Sequence, residues 1–236
     1  GNTTPVATDV FTLTCPSIIR DVAEFNGSSS QIGLAPVGLN SANNQWFIEM
    51  EINQHSHINI GDGDGIYIEH ANFSSGLGIF LKKYDASTSY AFILSSSGNS
   101  SSFNHTVNTL NRISLNTSTK IKIVCTSTTS STHNLELYID DVLSGSGSVF
   151  AVSQVPLYAF IGTAKNYSLN GLNFDGTINN FKAGLTSIIR NLPLISDVTD
   201  ATGNSSPTAY DISFVSQSVS GVDPSDPTQC KGCRRY

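Results

Sequence analysis

Short alternating or continuous apolar runs, bounded by Gly, Asn and Ser, recur along the whole chain, and helical periodicity never persists beyond a turn or two. That pattern predicts β-strands throughout. Val10–Cys15 alternates. Over 46–52, Trp46, Ile48, Met50 and Ile52 fall on one face and Phe47, Glu49 and Glu51 on the other. Gly65–Glu69 and Leu77–Leu81, linked through Asn72–Gly76, predict a hairpin, and Tyr90–Leu94 a further strand. Over 120–125, Ile121, Ile123 and Cys125 point inward and both lysines outward. Leu135–Ile139 runs into an Asp140-Asp141 turn, and Leu157–Gly162 and Gly176–Ala183 complete the set, with Asp175-Gly176 expected as another turn.

Three stretches in register carry a resemblance. Phe25–Leu34 followed by Trp46–Ile52, then Leu135–Asp141, then Tyr158–Gly162 with Phe174–Phe181, resemble in order the opening, middle and closing motifs of laminin-G-like domains. The chain is therefore similar to the concanavalin A-like lectin/glucanase superfamily over residues 21–190. The fold this implies is all-β, a two-sheet antiparallel jelly-roll sandwich. Residues 1–20 read as an N-terminal strand extension. Residues 191–236 read as a connector rich in Pro, Asp, Ser and Thr, one strand alternating Tyr210, Ile212 and Phe214, and a Pro-broken tail ending in Cys230-x-x-Cys233.

Composition narrows the function classes. Charged residues are 13% of the 236, about half the usual share of roughly 25%. With a net charge of −6 and no basic cluster before Arg234-Arg235, the footprint of a nucleic-acid binder is missing. No apolar run approaches the roughly 20 residues of a membrane helix. Ser and Thr make up about a quarter of the chain. Eight N-x-[ST] sequons occur, at Asn2, Asn26, Asn72, Asn99, Asn104, Asn116, Asn166 and Asn204, each a glycan acceptor in a secreted chain. Together with four Cys they point to an extracellular, secreted glycoprotein. Gly1 opens a polar stretch, so the numbering of a secreted form would begin after leader cleavage.

Candidate chemistry is sparse. Glycosidases of the superfamily carry three alternating carboxylates on one strand, which period-2 geometry aims at one cleft. Here Glu49 and Glu51 are followed by Asn53, so the acid that would protonate the leaving oxygen is missing, and the pair reads as a solvent face. A Gly-x-Ser-x-Gly elbow is absent too. These readings give no enzyme. Asp62 and Asp64 in Gly61–Ile66 are open to three interpretations: a hairpin turn, a Ca²⁺ ligand pair, or the sugar-accepting Asp implied by the similarity of Gly-Asp-Gly-Ile to the Asp-Gly-Ile turn of legume-type lectins. His55-x-His57 lacks an evident third metal ligand. Cys15 and Cys125 both end strands on the inward parity, the first guess for a bridge, with Cys230 and Cys233 left to each other or to another chain.

Two functions compete. Strand-like segments at 5–15 and 208–219 lie outside the resemblance, and strand exchange through them would build a filament or matrix from a non-catalytic, glycosylated structural subunit. The alternative is a lectin-like carbohydrate-binding module, Ca²⁺-dependent or not, using Asp62 or Asp64 and an aromatic platform. Tyr67, Tyr84, Tyr90 and Tyr167 are the available rings, Trp46 being assigned to the core. The expected primary reading is self-association into a homopolymer.

Overall fold

The structure is a computed structural model that describes residues 18–39, 45–58, 63–72, 75–97, 105–129, 131–151, 154–163, 173–185, 188–194 and 197–219. Its strands in chain order are β1 (Ile18–Asn26), β2 (Gln31–Leu34), β3 (Phe47–Gln54), β4 (Asp64–Asn72), β5 (Ser75–Lys83), β6 (Thr88–Ser97), β7 (His105–Asn108) and β8 (Ile113–Ser114). There follow β9 (Thr119–Thr128), β10 (Thr132–Ile139), β11 (Val142–Phe150), β12 (Tyr158–Ile161), β13 (Asp175–Gly184), β14 (Ile188–Leu192), β15 (Thr208–Tyr210) and β16 (Ser213–Val219). Helices are absent among the described residues.

Two eight-stranded antiparallel sheets face each other. The first runs β11-β10-β9-β3-β13-β1-β16 with β14 added on β13, and the second β15-β2-β12-β4-β5-β6-β7 with β8 added on β6. Alternation places the core between them. Ile48, Met50 and Ile52 of β3, Ile121 and Ile123 of β9, and Leu135, Leu137 and Ile139 of β10 are buried from the first sheet. Ile32, Tyr67, Ile79, Ile93 and Ile161 answer from the second. The face predicted for Trp46 to Ile52 is the buried one, and Glu49 and Glu51 lie on the other. This is the expected jelly-roll sandwich.

The turns obey local chemistry. Asp140 and Asp141 have φ of 50° and 63°, the two left-handed positions of a two-residue hairpin, and join β10 to β11 through the Ile139–Val142 pair as expected. Asp175-Gly176 differs from expectation: it opens β13 instead of turning the chain. Gly176 is needed there because its φ is +146° and a Cβ would lie 2.1 Å from the Asn53 carbonyl oxygen.

The C-terminal segment corrects a second expectation. The strand predicted near 209–216 forms as two pieces, split at Asp211 (φ 50°). β15 pairs with β2 in the second sheet, and β16 pairs with β1 in the first, from Ile18–Val219 to Glu24–Ser213. Residues 208–219 therefore complete the edges of their own subunit and are no surplus strand for a neighbour. The other supposed surplus, residues 5–15, lies outside the described residues.

Candidate functional site

The residues singled out from the sequence do not converge. Asp62 lies outside the described residues. Asp64 is 1% exposed; its Oδ2 accepts from Gln54 Nε2 at 2.7 Å and faces the Ile58 N–H at 3.4 Å. Gln54 Oε1 in turn accepts from Ser89 Oγ at 2.7 Å, and Ser89 Oγ lies 3.2 Å from His57 Nδ1. This chain of buried polar groups ties β3, β4 and β6 together, so a sugar hydroxyl at Asp64 would have to displace the Gln54 amide. His55 contributes its backbone N–H to the Asp175 carbonyl. Among the described residues, no group of three His, Cys, Asp or Glu could hold a metal.

Glu49 and Glu51 share a face and are engaged there. Lys120 and Lys182 reach Glu49 at 3.5 and 3.6 Å, while Glu51 accepts from Ser118 Oγ at 2.6 Å and Asn180 Nδ2 at 3.1 Å. Cys125 is buried with Sγ 3.6 Å from His133 Nδ1, which also accepts from Trp46 Nε1 at 3.1 Å. Burial pulls the His133 imidazole below its ordinary value, leaving a neutral ring that can accept the indole proton. Cys15, Cys230 and Cys233 lie outside the described residues, as do Asn2, Asn99, Asn104 and Asn166. Of the remaining sequons, Asn26, Asn116 and Asn204 are exposed, and Asn72 closes β4.

A surface the motifs did not predict lies on the outer face of the second sheet. In β12, Ala159 and Ile161 enter the core while Tyr158 and Phe160 point outward. Ladder partners share a face, so Tyr158 stands in register with His70 and Gly76, and Phe160 with Ile68, Gly78 and Leu94. Phe80 pairs with Phe92, and Lys82 with Tyr90, continuing the same face. The rings pack in two groups, His70–Tyr158 at 5.3 Å with His70–Phe160 at 6.4 Å, and Phe80–Phe92 stacked at 5.1 Å with Tyr90–Phe92 at 6.2 Å, and Phe160 packs on the Ile68, Phe80 and Phe92 cluster. Gly78 makes room for this: a Cβ there would sit 2.5 Å from the Phe80 ring. At one corner the Arg112 guanidinium lies 3.7 Å over the Tyr84 ring and 5.7 Å from that of Tyr90. Tyr158 and Tyr84 are 52% and 60% exposed, whereas Phe80 and Ile68 form a buried floor. Of the aromatics named from sequence, Tyr84 and Tyr90 belong here, Tyr67 is in the core, and Tyr167 lies outside the described residues.

Beneath this face sits a buried charge. The Glu69 carboxylate accepts from the Tyr67 hydroxyl and the Leu39 N–H, each at 2.8 Å, and from the Val37 N–H. Arg190, also buried, donates Nε–H to the Ala35 carbonyl at 3.0 Å and Nη2–H to that of Pro36 at 3.4 Å. The 35–39 loop is thus held by one buried carboxyl on its donors and one cation on its acceptors. Burial raises the Glu69 acid from 4.5 to about 7 against the opposing pull of these donors, and burial likewise pushes Tyr67 well above its ordinary value.

No protein-family model matches this sequence, and no curated protein does either. Solved structures do. A protein of Bacteroides ovatus described as carbohydrate-binding superposes with a TM-score of 0.56 at 10% identity, covering 85% of this chain and 61% of its own. This fold is a concanavalin A-like jelly roll. Within that fold, the LG4-5 domains of the mouse laminin alpha1 chain give 0.51 at 11% identity over 79% of this chain and 46% of theirs. A heptameric SAP-like pentraxin from Limulus polyphemus gives 0.50 at 12% over 85% and 93%. The present chain thus spans less than two thirds of the first two structures. At such identities the jelly roll is what these proteins share.

Proposed function

We propose that this chain is a non-catalytic, lectin-like carbohydrate-binding module that takes a saccharide across the outer face of its second sheet. The observation that carries the reading is the row of outward rings from Tyr158 through Phe160 to Tyr90 and Tyr84. Sugar rings present flat C–H faces, and aromatic side chains offer apolar area with a polar tip. Binding sites of this kind are mostly apolar with a few placed polar groups. The likeness to a protein described as carbohydrate-binding agrees with this reading. Engagement of Glu49 and Glu51 by lysines and an asparagine supports a non-catalytic role.

The reading extends to location. Exposed sequons at Asn26, Asn116 and Asn204 favour a secreted, N-glycosylated protein. Assembly by strand exchange loses one of its two supports, because β15 and β16 pair within the subunit. The test is a glycan array probed with the full chain and with Tyr158→Ala. Retention of a defined set of glycans by the parent, weakened in the variant, is expected. No retention, or retention unchanged in Tyr158→Ala and Tyr84→Ala alike, would refute this placement of the site.

A further inference from the structure

We infer that the preferred ligand is a uronic-acid-bearing saccharide, whose carboxylate docks at the Arg112 corner while its rings lie along the aromatic face. This rests on the carbohydrate reading above and adds the chemical class. On a chain of net charge −6 the corner presents two cations to this face, Arg112 over Tyr84 and Lys82 beside Tyr90, where β5 turns into β6; Lys83 pairs with Ser89 and takes the opposite parity. Among the described residues neither of the two has an ion pair, whereas Lys120 and Lys182 are bound to Glu49. The nearest acid in the hairpin, Asp85, turns its carboxylate back onto the N–H groups of Ser87 and Thr88, at 2.8 and 2.9 Å.

Geometry gives Arg112 its specificity. The Arg112 guanidinium carbon lies 3.7 Å over the centre of the Tyr84 ring, a cation–π contact that anchors its planar N–H fork at this corner. A fork held this way matches the two coplanar oxygens of a carboxylate. Lys82, the ladder partner of Tyr90, adds a second positive charge on the same face. From this corner to Tyr158 is roughly 25 Å along the diagonal, from strand spacing and rise per residue. That length suits an oligosaccharide better than a single sugar. Two cations serve it, so a saccharide with sparse carboxylates fits the charge supply, and a densely sulfated chain would meet the repulsion of a net-negative protein.

The experiment uses the full chain with hexagalacturonate and its fully methyl-esterified form, which keeps the rings and masks every carboxylate. Calorimetry is run at 20 and 200 mM NaCl, with parent, Arg112→Gln, Lys82→Gln and the opposite-sheet control Lys122→Gln, each checked for an unchanged melting transition. We expect the free acid to bind more tightly than the ester. Arg112→Gln should weaken the acid about fivefold or more, as for a charged hydrogen-bonded pair. Salt should weaken the acid and leave the ester unmoved, and Lys122→Gln should match the parent. Equal binding of acid and ester overturns the uronate assignment and leaves the carbohydrate reading standing. Binding of neither, with no glycan retained on an array, overturns both. Preference for dextran sulfate or for polyglutamate over hexagalacturonate would also overturn the assignment, showing that charge alone is read.

Discussion

Glu69 gives the pH dependence of folding a definite sign. Folding moves this acid from 4.5 to about 7, so the native state holds its proton more tightly than the unfolded chain. The resulting stability is fully present below pH 4.5 and is lost as pH rises through 7. Because the side chain is buried, the whole displacement counts, and it amounts to roughly 3 kcal/mol across that window. For a chain of this size that corresponds to about 6–12 °C in melting temperature. Exposed carboxylates add their own pH dependence, so the informative quantity is the difference between the parent and Glu69→Gln, measured by urea denaturation from pH 4.5 to 8. The parent's advantage over the neutral amide should shrink steadily as pH rises. Parallel profiles for the two proteins would refute the assignment of a raised Glu69.

Four further outcomes follow from particular contacts. Gly78→Ala places a methyl group 2.5 Å from the Phe80 ring and should cost about 1–3 kcal/mol, read by chemical denaturation, with reduced glycan retention because the ring floor shifts. Gly176→Ala meets the Asn53 carbonyl backbone as well as an unfavourable φ, so its loss of stability should exceed that of Gly78→Ala in the same assay. Trp46→Phe removes the donor to His133 Nδ1 in a buried site and should cost about 1–3 kcal/mol beyond any change in packing; Trp46→Phe with His133→Leu should recover part of it. Deleting residues 208–236 strips both β15 and β16 and should lower the melting temperature of the monomer itself. An unchanged melting temperature with altered oligomeric state would instead return the terminal strand to a role between subunits.

Much of the fold was legible because alternation is a local property. The β3 pattern Trp46 to Ile52 and the β9 pattern Ile121 to Cys125 each sort one residue in two toward the core, and both sort as expected. The Asp140-Asp141 turn was legible for the same reason. Less visible was anything that depends on which strands become neighbours. β16 finds β1 across nearly the whole chain, and Asp211 sends two halves of one apparent strand into different sheets. The aromatic face escaped for a related reason. Over Tyr158–Ile161 of β12 and Tyr90–Leu94 of β6 the inward residues are aliphatic and the outward ones are Tyr158, Phe160, Tyr90, Phe92 and Leu94, so both faces read as apolar there and no polar parity marks the surface. Outward aromatics opposite glycines, as at Gly76 and Gly78, were the available signal. Asp64 misled in the opposite direction: an Asp-Gly pair suggests an exposed loop, but the neighbouring Gln54 amide gives its carboxylate a buried partner.

The central claim is that saccharide lies on the ring face of the second sheet, and hydroxyl-radical footprinting tests it most directly. The full chain would be oxidised with and without the glycan that binds most tightly on the array. Protection of Tyr158, Phe160, Tyr90 and Tyr84, with Val142 and Leu110 at the sandwich edge unchanged, is the predicted result. Protection confined to the edge residues, with those four rings oxidised as fast as in the free protein, would contradict it.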